Sequence, residues 1–244
     1  MIGASFHSLL ITTLSATLWL AGFQSFTVQA GTTQPTLHRR QVPQEWSHGD
    51  IVRIVDTLLK KDNPSKISHT IFSLLGDDAA AKGAGNLDQK HLECFKKLVA
   101  DQAFTNAKKD GDIKGQEAAI IFASLERNTQ RVGQASKACT AIKAKNPEIE
   151  RLIQHQDAAS PGAKENNVLS ALLAAESINE IKGDVNRAIL TGTFPPAKPG
   201  QNNNAGLTCD DEKDEKGCIF TKKLFVPDIT EADIKKHLST KSKS

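Results

Sequence analysis

Apolar residues recur at helical spacing through most of the chain. In residues 47–61, for example, Ile51, Val55 and Leu58 fall on one face, and Ser47 precedes them as a candidate N-cap. The same spacing predicts further helices over residues 66–75, 86–99, 147–154 and 161–192. Within the last of these stretches, a glycine at position 183 is expected to divide the helix.

The longest apolar pattern runs from Gln116 to about Lys145 and alternates steps of three and four residues. Its members are Ala118, Ile121, Leu125, Asn128, Val132, Ala135, Cys139 and Ile142. This spacing is typical of a packed helical seam. We therefore predict helix through this region, either continuous or broken near Gly133.

The character of the chain changes at Pro195. Residues 195–206 are rich in Pro, Gly and Asn, which predicts a loop. A cysteine-bounded acidic stretch at 209–218 and an extended, strand-like stretch at 219–227 follow. Residues 230–233 (Thr-Glu-Ala-Asp) then have the form of a capping box, which predicts a last short helix.

These patterns predict an all-α protein, a single-domain helical bundle of about 6–8 helices with a disulfide-closed C-terminal loop. The expected helical domain covers residues 41–194. Residues 195–244 are expected to form an irregular, disulfide-bearing segment packed on the same domain.

Residues 1–30 differ from the rest because they contain no Asp, Glu, Lys or Arg. The apolar run 9–22 has the length of a signal-peptide core, and it is shorter than the about 20 residues that cross a bilayer. Val28-Gln29-Ala30 supplies the small-x-small pattern of a cleavage site, so we predict cleavage after Ala30 and secretion. The alternative interpretation is a signal anchor or a buried helix.

A second processing site is the dibasic pair Arg39-Arg40, in a polar stretch without apolar periodicity. Residues 31–40 are either a short propeptide, which makes Gln41 the new N-terminus, or a flexible arm. No later stretch of the sequence is apolar enough for a transmembrane anchor, and the polar ending argues against a lipid anchor.

Four cysteines, Cys94, Cys139, Cys209 and Cys218, follow the predicted signal peptide and indicate two disulfides in an oxidising compartment. Cys209 and Cys218 are close enough in sequence to close a small ring. A straight helical hairpin turning at residues 109–111 would leave Cys94 about 20 Å short of Cys139. Either the long pattern breaks near Gly133 and these two cysteines pair, which we favour, or they do not pair.

Composition and motifs argue against several functions. The formal net charge is only +3, there is no Tyr, and Trp46 is the only Trp after residue 30, so nucleic-acid and carbohydrate binding are disfavoured. Neither a zinc motif nor a serine-nucleophile motif occurs, and we predict no cofactor, no metal and no enzymatic activity. The histidines at 48, 91 and 155 are expected to be surface or capping residues. The acidic run 210–215 is expected to be a solvated or recognition loop rather than a calcium site.

The C-terminal third carries a resemblance to a known family. The segments Thr208-Cys209-Asp210-Asp211-Glu212, Gly217-Cys218-Ile219-Phe220-Thr221 and 224–231 (LFVPDITE) resemble the tail of a family of secreted fungal proteins of uncharacterised function. The resemblance covers roughly residues 208–234. It implies an extracellular location and disulfides, but no activity.

The resulting functional hypothesis is a secreted, non-catalytic protein that acts by surface interaction, as a fungal cell-surface component or an effector. Its partner would be an unknown protein or a cell-wall component. The alternative is an extracellular carrier of apolar ligands or a protein that binds hydrophobic surfaces. A hydrolase is a third hypothesis, which would require a His, a Ser and a carboxylate from distant segments to converge in one pocket.

Overall fold

A computed structural model describes residues 44–129, 131–197 and 207–242, apart from the side chains of 77 and 78. The predicted cleavage site after Ala30 and the dibasic pair Arg39-Arg40 lie outside these residues. All of the described residues belong to one compact unit.

The described residues form helices joined by irregular segments, and they contain no strand, which confirms the all-α class. The only extended pairing among them is an isolated antiparallel bridge between Thr193 and Val226. The α-helices are α1 (Gly49–Lys61), α2 (Asp77–Ala81), α3 (Phe95–Lys109), α4 (Ile113–Ser124), α5 (Pro147–Glu150), α6 (Ala163–Glu180), α7 (Cys218–Thr221) and α8 (Glu231–Lys241). Three 3-10 helices cover Thr70–Leu74, Gln89–Cys94 and Val185–Thr191.

Helix α4 lies at the centre of the fold and packs against α1, α3 and α6. Every residue from Gly115 to Ser124 is buried, so this helix is enclosed on all sides and has no solvent-exposed polar face there. Its alanines at 118, 119 and 123 allow neighbouring helices to approach closely, while Ile120 and Phe122 fill the space between them. None of the described helices is long and apolar enough to cross a membrane.

The prediction of helix from Gln116 to Lys145 is wrong after Ser124. The chain turns extended at Leu125, well before Gly133, and residues 125–129 and 131–146, which we call the middle segment, are irregular. From Val132 on, the apolar pattern continues in spacing only, because its members are small or solvent-accessible; Ala135, for example, is exposed. Without an apolar stripe to bury, helical periodicity does not make a helix.

Several smaller predictions also change. The expected helix over 66–75 is only a 3-10 turn at Thr70–Leu74, and the one over 147–154 ends at Glu150. The stretch 86–99 contains a 3-10 helix and then the start of α3, and the strand-like stretch 219–227 begins inside α7. Other predictions are confirmed. Helix α6 ends before Gly183, and the capping box forms at α8, where the Thr230 hydroxyl accepts a hydrogen bond from the Asp233 amide at 3.3 Å.

Both favoured disulfides are present. Cys94 bonds to Cys139 with a Cα–Cα distance of 4.5 Å, and this bond ties the middle segment to the start of α3. Cys209 bonds to Cys218 with a Cα–Cα distance of 6.1 Å and closes residues 209–218, which we call the C-terminal ring. Such bonds are typical of proteins that fold in an oxidising compartment.

Candidate functional site

A group of buried or half-buried polar side chains lies where the start of the described chain meets the middle segment and the turn after the third 3-10 helix. We call this group the polar cluster; its members are Gln44, Glu45, Ser47, His48, Glu126, Asn128 and Thr193. Most of them line a cavity of about 20 Å³. That volume holds about one water molecule.

Glu126 is the acid at the centre of this group. Its carboxylate accepts hydrogen bonds from the Gln44 amide at 3.0 Å and from the Thr193 hydroxyl at 2.5 Å. Burial raises the pKa of Glu126 to about 7, the two hydrogen bonds oppose this rise, and the nearby Asp157 charge adds to it. Glu126 is therefore close to half protonated at neutral pH.

Glu45 is a second buried acid in the polar cluster. Its carboxylate accepts hydrogen bonds from the Asn128 amide at 2.8 Å and from the backbone N–H of Gln44 at 3.0 Å. Burial raises the pKa of Glu45, and these hydrogen bonds oppose the rise. Both carboxylates thus hold the first described residues against the middle segment.

His48 is the base of the group, and it is 5% exposed. Its Nδ1 lies 3.0 Å from the Ser47 hydroxyl, and its ring packs edge-on against Phe220 and Phe225. Burial lowers the pKa of His48 to about 4, and the charge of His155 lowers it further. His48 is therefore neutral at physiological pH.

His155 is fully buried, although the sequence predicts a surface or capping residue. Its Nδ1 lies 2.8 Å from the carbonyl oxygen of Ser124, and its Nε2 lies 3.1 Å from the Asp228 carboxylate. These two contacts join the end of α4 to the chain before α8.

These side chains do not assemble a nucleophile, a base and an orienting acid. Such a set needs a base whose second nitrogen is held by a third group. The Nε2 of His48 has no hydrogen-bond partner in the described part of the chain. His155 has its acid in Asp228, but both of its nitrogens are occupied, and neither contacts a hydroxyl.

The acidic run 210–215 is hydrogen-bonded to α1 and to the residues before it, although several of its side chains are exposed to solvent. The Asp210 carboxylate accepts a hydrogen bond from the Trp46 amide at 2.7 Å, and Arg53 donates to the carbonyl oxygens of Glu212 and Asp214. In these contacts Asp210 uses its carboxylate, whereas Glu212 and Asp214 use backbone carbonyl oxygens. Within the described residues, no group of three acidic, His or Cys side chains is placed to hold a metal ion.

The ring approaches α1 closely at Gly217. Its φ of 110° is one that other residues rarely adopt, and a Cβ there would lie 2.4 Å from the carbonyl oxygen of Ser47. The Ile219 amide donates to that same carbonyl oxygen at 3.2 Å. The C-terminal ring is thus a fixed part of the wall around His48.

A larger cleft, of about 130 Å³, lies beside the Cys94–Cys139 disulfide; we call it the disulfide cleft. Apolar residues from α4 and from the chain after α5 line one part of it, and polar residues from the start of α3 line another. Sequence reasoning missed this site. The one clue to it in the sequence is Lys96, because this lysine shares a helical face with the apolar residues Leu92, Val99 and Ala100. In the structure Lys96 is only 2% exposed.

Comparison with known proteins gives no relative: no family model, no curated protein and no solved structure matches the chain. The two cavities and the surface therefore carry the functional argument.

Proposed function

We propose that this chain is a secreted protein that acts through its folded surface and not by catalysis, as a cell-surface component or an effector of the fungal type. The signal-peptide pattern ending at Ala30 and the two disulfides support secretion into an oxidising compartment. The resemblance of the C-terminal segments to secreted fungal proteins supports the same setting.

The observation that carries the proposal is how the reactive side chains are used. Glu45, Glu126 and His155 all hold backbone or side chains of distant segments together. The cavity beside Glu45 and Glu126 takes about one water molecule, whereas sites for drug-sized molecules are typically about 300–1,000 Å³. These side chains therefore stabilise the fold, and we expect a partner to bind the surface of that fold.

The carrier hypothesis receives less support. The large hydrophobic residues that are exposed in the described chain are scattered over several elements; they are Ile54, Ile113, Leu169 and Val226. An apolar carrier or surface-binding protein is expected to present a continuous apolar patch or an apolar cavity. The disulfide cleft is lined by both polar and apolar residues.

Secretion is tested by expressing the full chain in a fungal host and determining the mass of the non-reduced product from the medium. We expect an N-terminus at Gly31 or Gln41 and a mass four hydrogens below that of the reduced chain. Intact residues 1–30 on the secreted product would contradict the proposal.

Surface action is tested with the secreted protein, fluorescently labelled, on washed cells of that host and of other fungi. We expect saturable binding that unlabelled folded protein displaces and that reduced, alkylated protein does not.

Catalysis is tested separately by assaying the wild-type protein and His48→Asn on ester, peptide and glycoside substrates. Turnover by the wild type that His48→Asn lacks would establish an enzyme instead.

A further inference from the structure

The disulfide cleft has the size of a small-ligand site. Its volume of about 130 Å³ is close to that of an engineered cavity of ~150 Å³ that binds benzene. It therefore has room for roughly six heavy atoms by this comparison. Ala123, Leu152 and Ile153 provide an apolar part of the lining, and Lys96 is among the polar residues.

The charges around the cleft leave Lys96 without an acid in direct contact. The other two charged residues in the lining are paired: Glu93 lies 3.2 Å from the Lys137 ammonium, and the Lys97 ammonium lies 3.1 Å from Glu150. No carboxylate in the described part of the chain lies within 4.0 Å of the Lys96 ammonium nitrogen.

The hydrogen bonds of Lys96 are also incomplete. Its Nζ donates to the carbonyl oxygen of Leu125, which follows the last residue of α4, and this is its one hydrogen bond within the described residues. An ammonium group carries three N–H donors. A buried ammonium with one acceptor and no carboxylate in direct contact is costly, and a carboxylate bound in the cleft would supply both a further acceptor and an opposite charge in contact.

We propose that the disulfide cleft binds a small aliphatic monocarboxylate, whose carboxylate pairs with Lys96 and whose alkyl chain packs on Ala123, Leu152 and Ile153. The apolar lining favours an alkyl chain over a purely inorganic anion because its burial removes apolar surface from water. The site is separate from the surface action proposed above and can be present without it.

The protonation state of Lys96 makes ligand binding at this site depend on pH. Burial lowers the pKa of Lys96 well below its usual value, the charge of Arg127 lowers it further, and Glu126 opposes both effects. The other charged groups nearby, Glu93 and Lys97, have their own partners. A bound carboxylate favours the ammonium form, so binding should take up protons and weaken as the pH rises.

The test uses the secreted, disulfide-intact protein with sodium butanoate, which has six heavy atoms. At ten times its Kd, butanoate should raise the Tm by about 3–6 °C, whereas the uncharged butanamide and sodium chloride at equal ionic strength should not. Calorimetric titration at one pH in two buffers of different ionisation enthalpy should give different heats, because protons are taken up. Equal heats would contradict the role of Lys96.

Two substitutions locate the site. Lys96→Met keeps the length of the side chain, removes the charge and should weaken butanoate binding more than tenfold. Lys97→Met, in the same cleft but at a half-buried lysine whose charge is already paired with Glu150, should change binding less than about twofold. Equal binding to both variants would overturn the proposal, and so would a Tm rise no larger than that with chloride. If Lys96→Met fails to fold, Ala138→Trp fills the rim with Lys96 in place and should also abolish binding.

Discussion

The two disulfide-bonded regions of this protein are held to the helical core by different sets of backbone groups. In the middle segment, backbone N–H groups donate to side chains of other elements, as Gly133 does to Asp157 at 2.8 Å and Lys145 to Asp101 at 2.9 Å. A carbonyl oxygen of this segment, that of Leu125, also accepts from a core side chain, Lys96. In the C-terminal ring, backbone carbonyl oxygens accept from one side chain of the core, Arg53.

The difference shows two ways to satisfy the backbone of a segment that has no helix or sheet. Buried backbone polar groups need partners wherever the chain goes. The middle segment finds acceptors on several buried side chains and is tied by a disulfide between residues 45 positions apart. The ring closes over only nine positions and needs fewer partners, because little of its backbone is buried.

The largest expected effect comes from removing the disulfide with the longer loop. Chain entropy predicts that the Cys94–Cys139 bond stabilises the fold by about 4 kcal/mol and the Cys209–Cys218 bond by about 3 kcal/mol. Cys94→Ala/Cys139→Ala should therefore lower the Tm by roughly 8–16 °C in thermal unfolding followed by circular dichroism. Cys209→Ala/Cys218→Ala is the matched control and should lower the Tm less. The reverse order would show that the ring, not the middle segment, limits stability.

The next effect is a pH dependence with opposite signs at two titratable groups, His48 beside the C-terminal ring and Glu126 in the middle segment. His48 packs against the aromatic residues that follow the ring, and its folded pKa of about 4 lies below its unfolded value near 6.5. The stability that this provides is present above pH 6.5 and is lost as the pH falls through 4, by about 3 kcal/mol.

Glu126, in the middle segment, has a folded pKa of about 7, above its unfolded value near 4.5. Its contribution is present below pH 4.5 and is lost as the pH rises through 7. Because the side chain of Glu126 is partly accessible to solvent, its contribution to the free energy of unfolding is about 1–2 kcal/mol.

Urea unfolding between pH 4 and pH 8 separates these opposing contributions. Relative to wild type, Glu126→Gln should gain stability as the pH rises above 4.5, and His48→Asn should gain stability as the pH falls below 6.5. If each variant kept a constant offset from wild type across this range, the opposite protonation behaviour of His48 and Glu126 would be refuted.

The smallest expected effect concerns the attachment of the ring. Arg53→Gln removes its two bonds to the ring and its contact with the Trp46 ring at 5.0 Å, at a cost of about 1–2 kcal/mol. Hydrogen exchange should rise in residues 207–221 and stay unchanged in the middle segment. Arg151→Gln, at an exposed pair with Glu180, is the control and should leave both regions protected. Faster exchange in the middle segment as well would mean that the regions open together.

Much of the fold could be predicted from the sequence where the deciding interactions are local. The face of α1 containing Ile51, Val55 and Leu58, and the capping box at Thr230, depend on residues within one or two helical turns. The polar cluster could not be predicted in this way. No residue close to Glu126 in the sequence indicates that it will contact Gln44 and Thr193, which are 82 and 67 positions away.

The sequence by itself thus determined the all-α class, the signal-peptide pattern and the proximity of Cys209 to Cys218. Periodicity, caps and short loops act over a few residues, so a linear reading can detect them. Only the tertiary structure decided the end of α4, the path of the middle segment and the burial of Lys96 and His155. Those features depend on which distant side chains satisfy a backbone group or leave a charge unpaired, and that choice is made when the core packs.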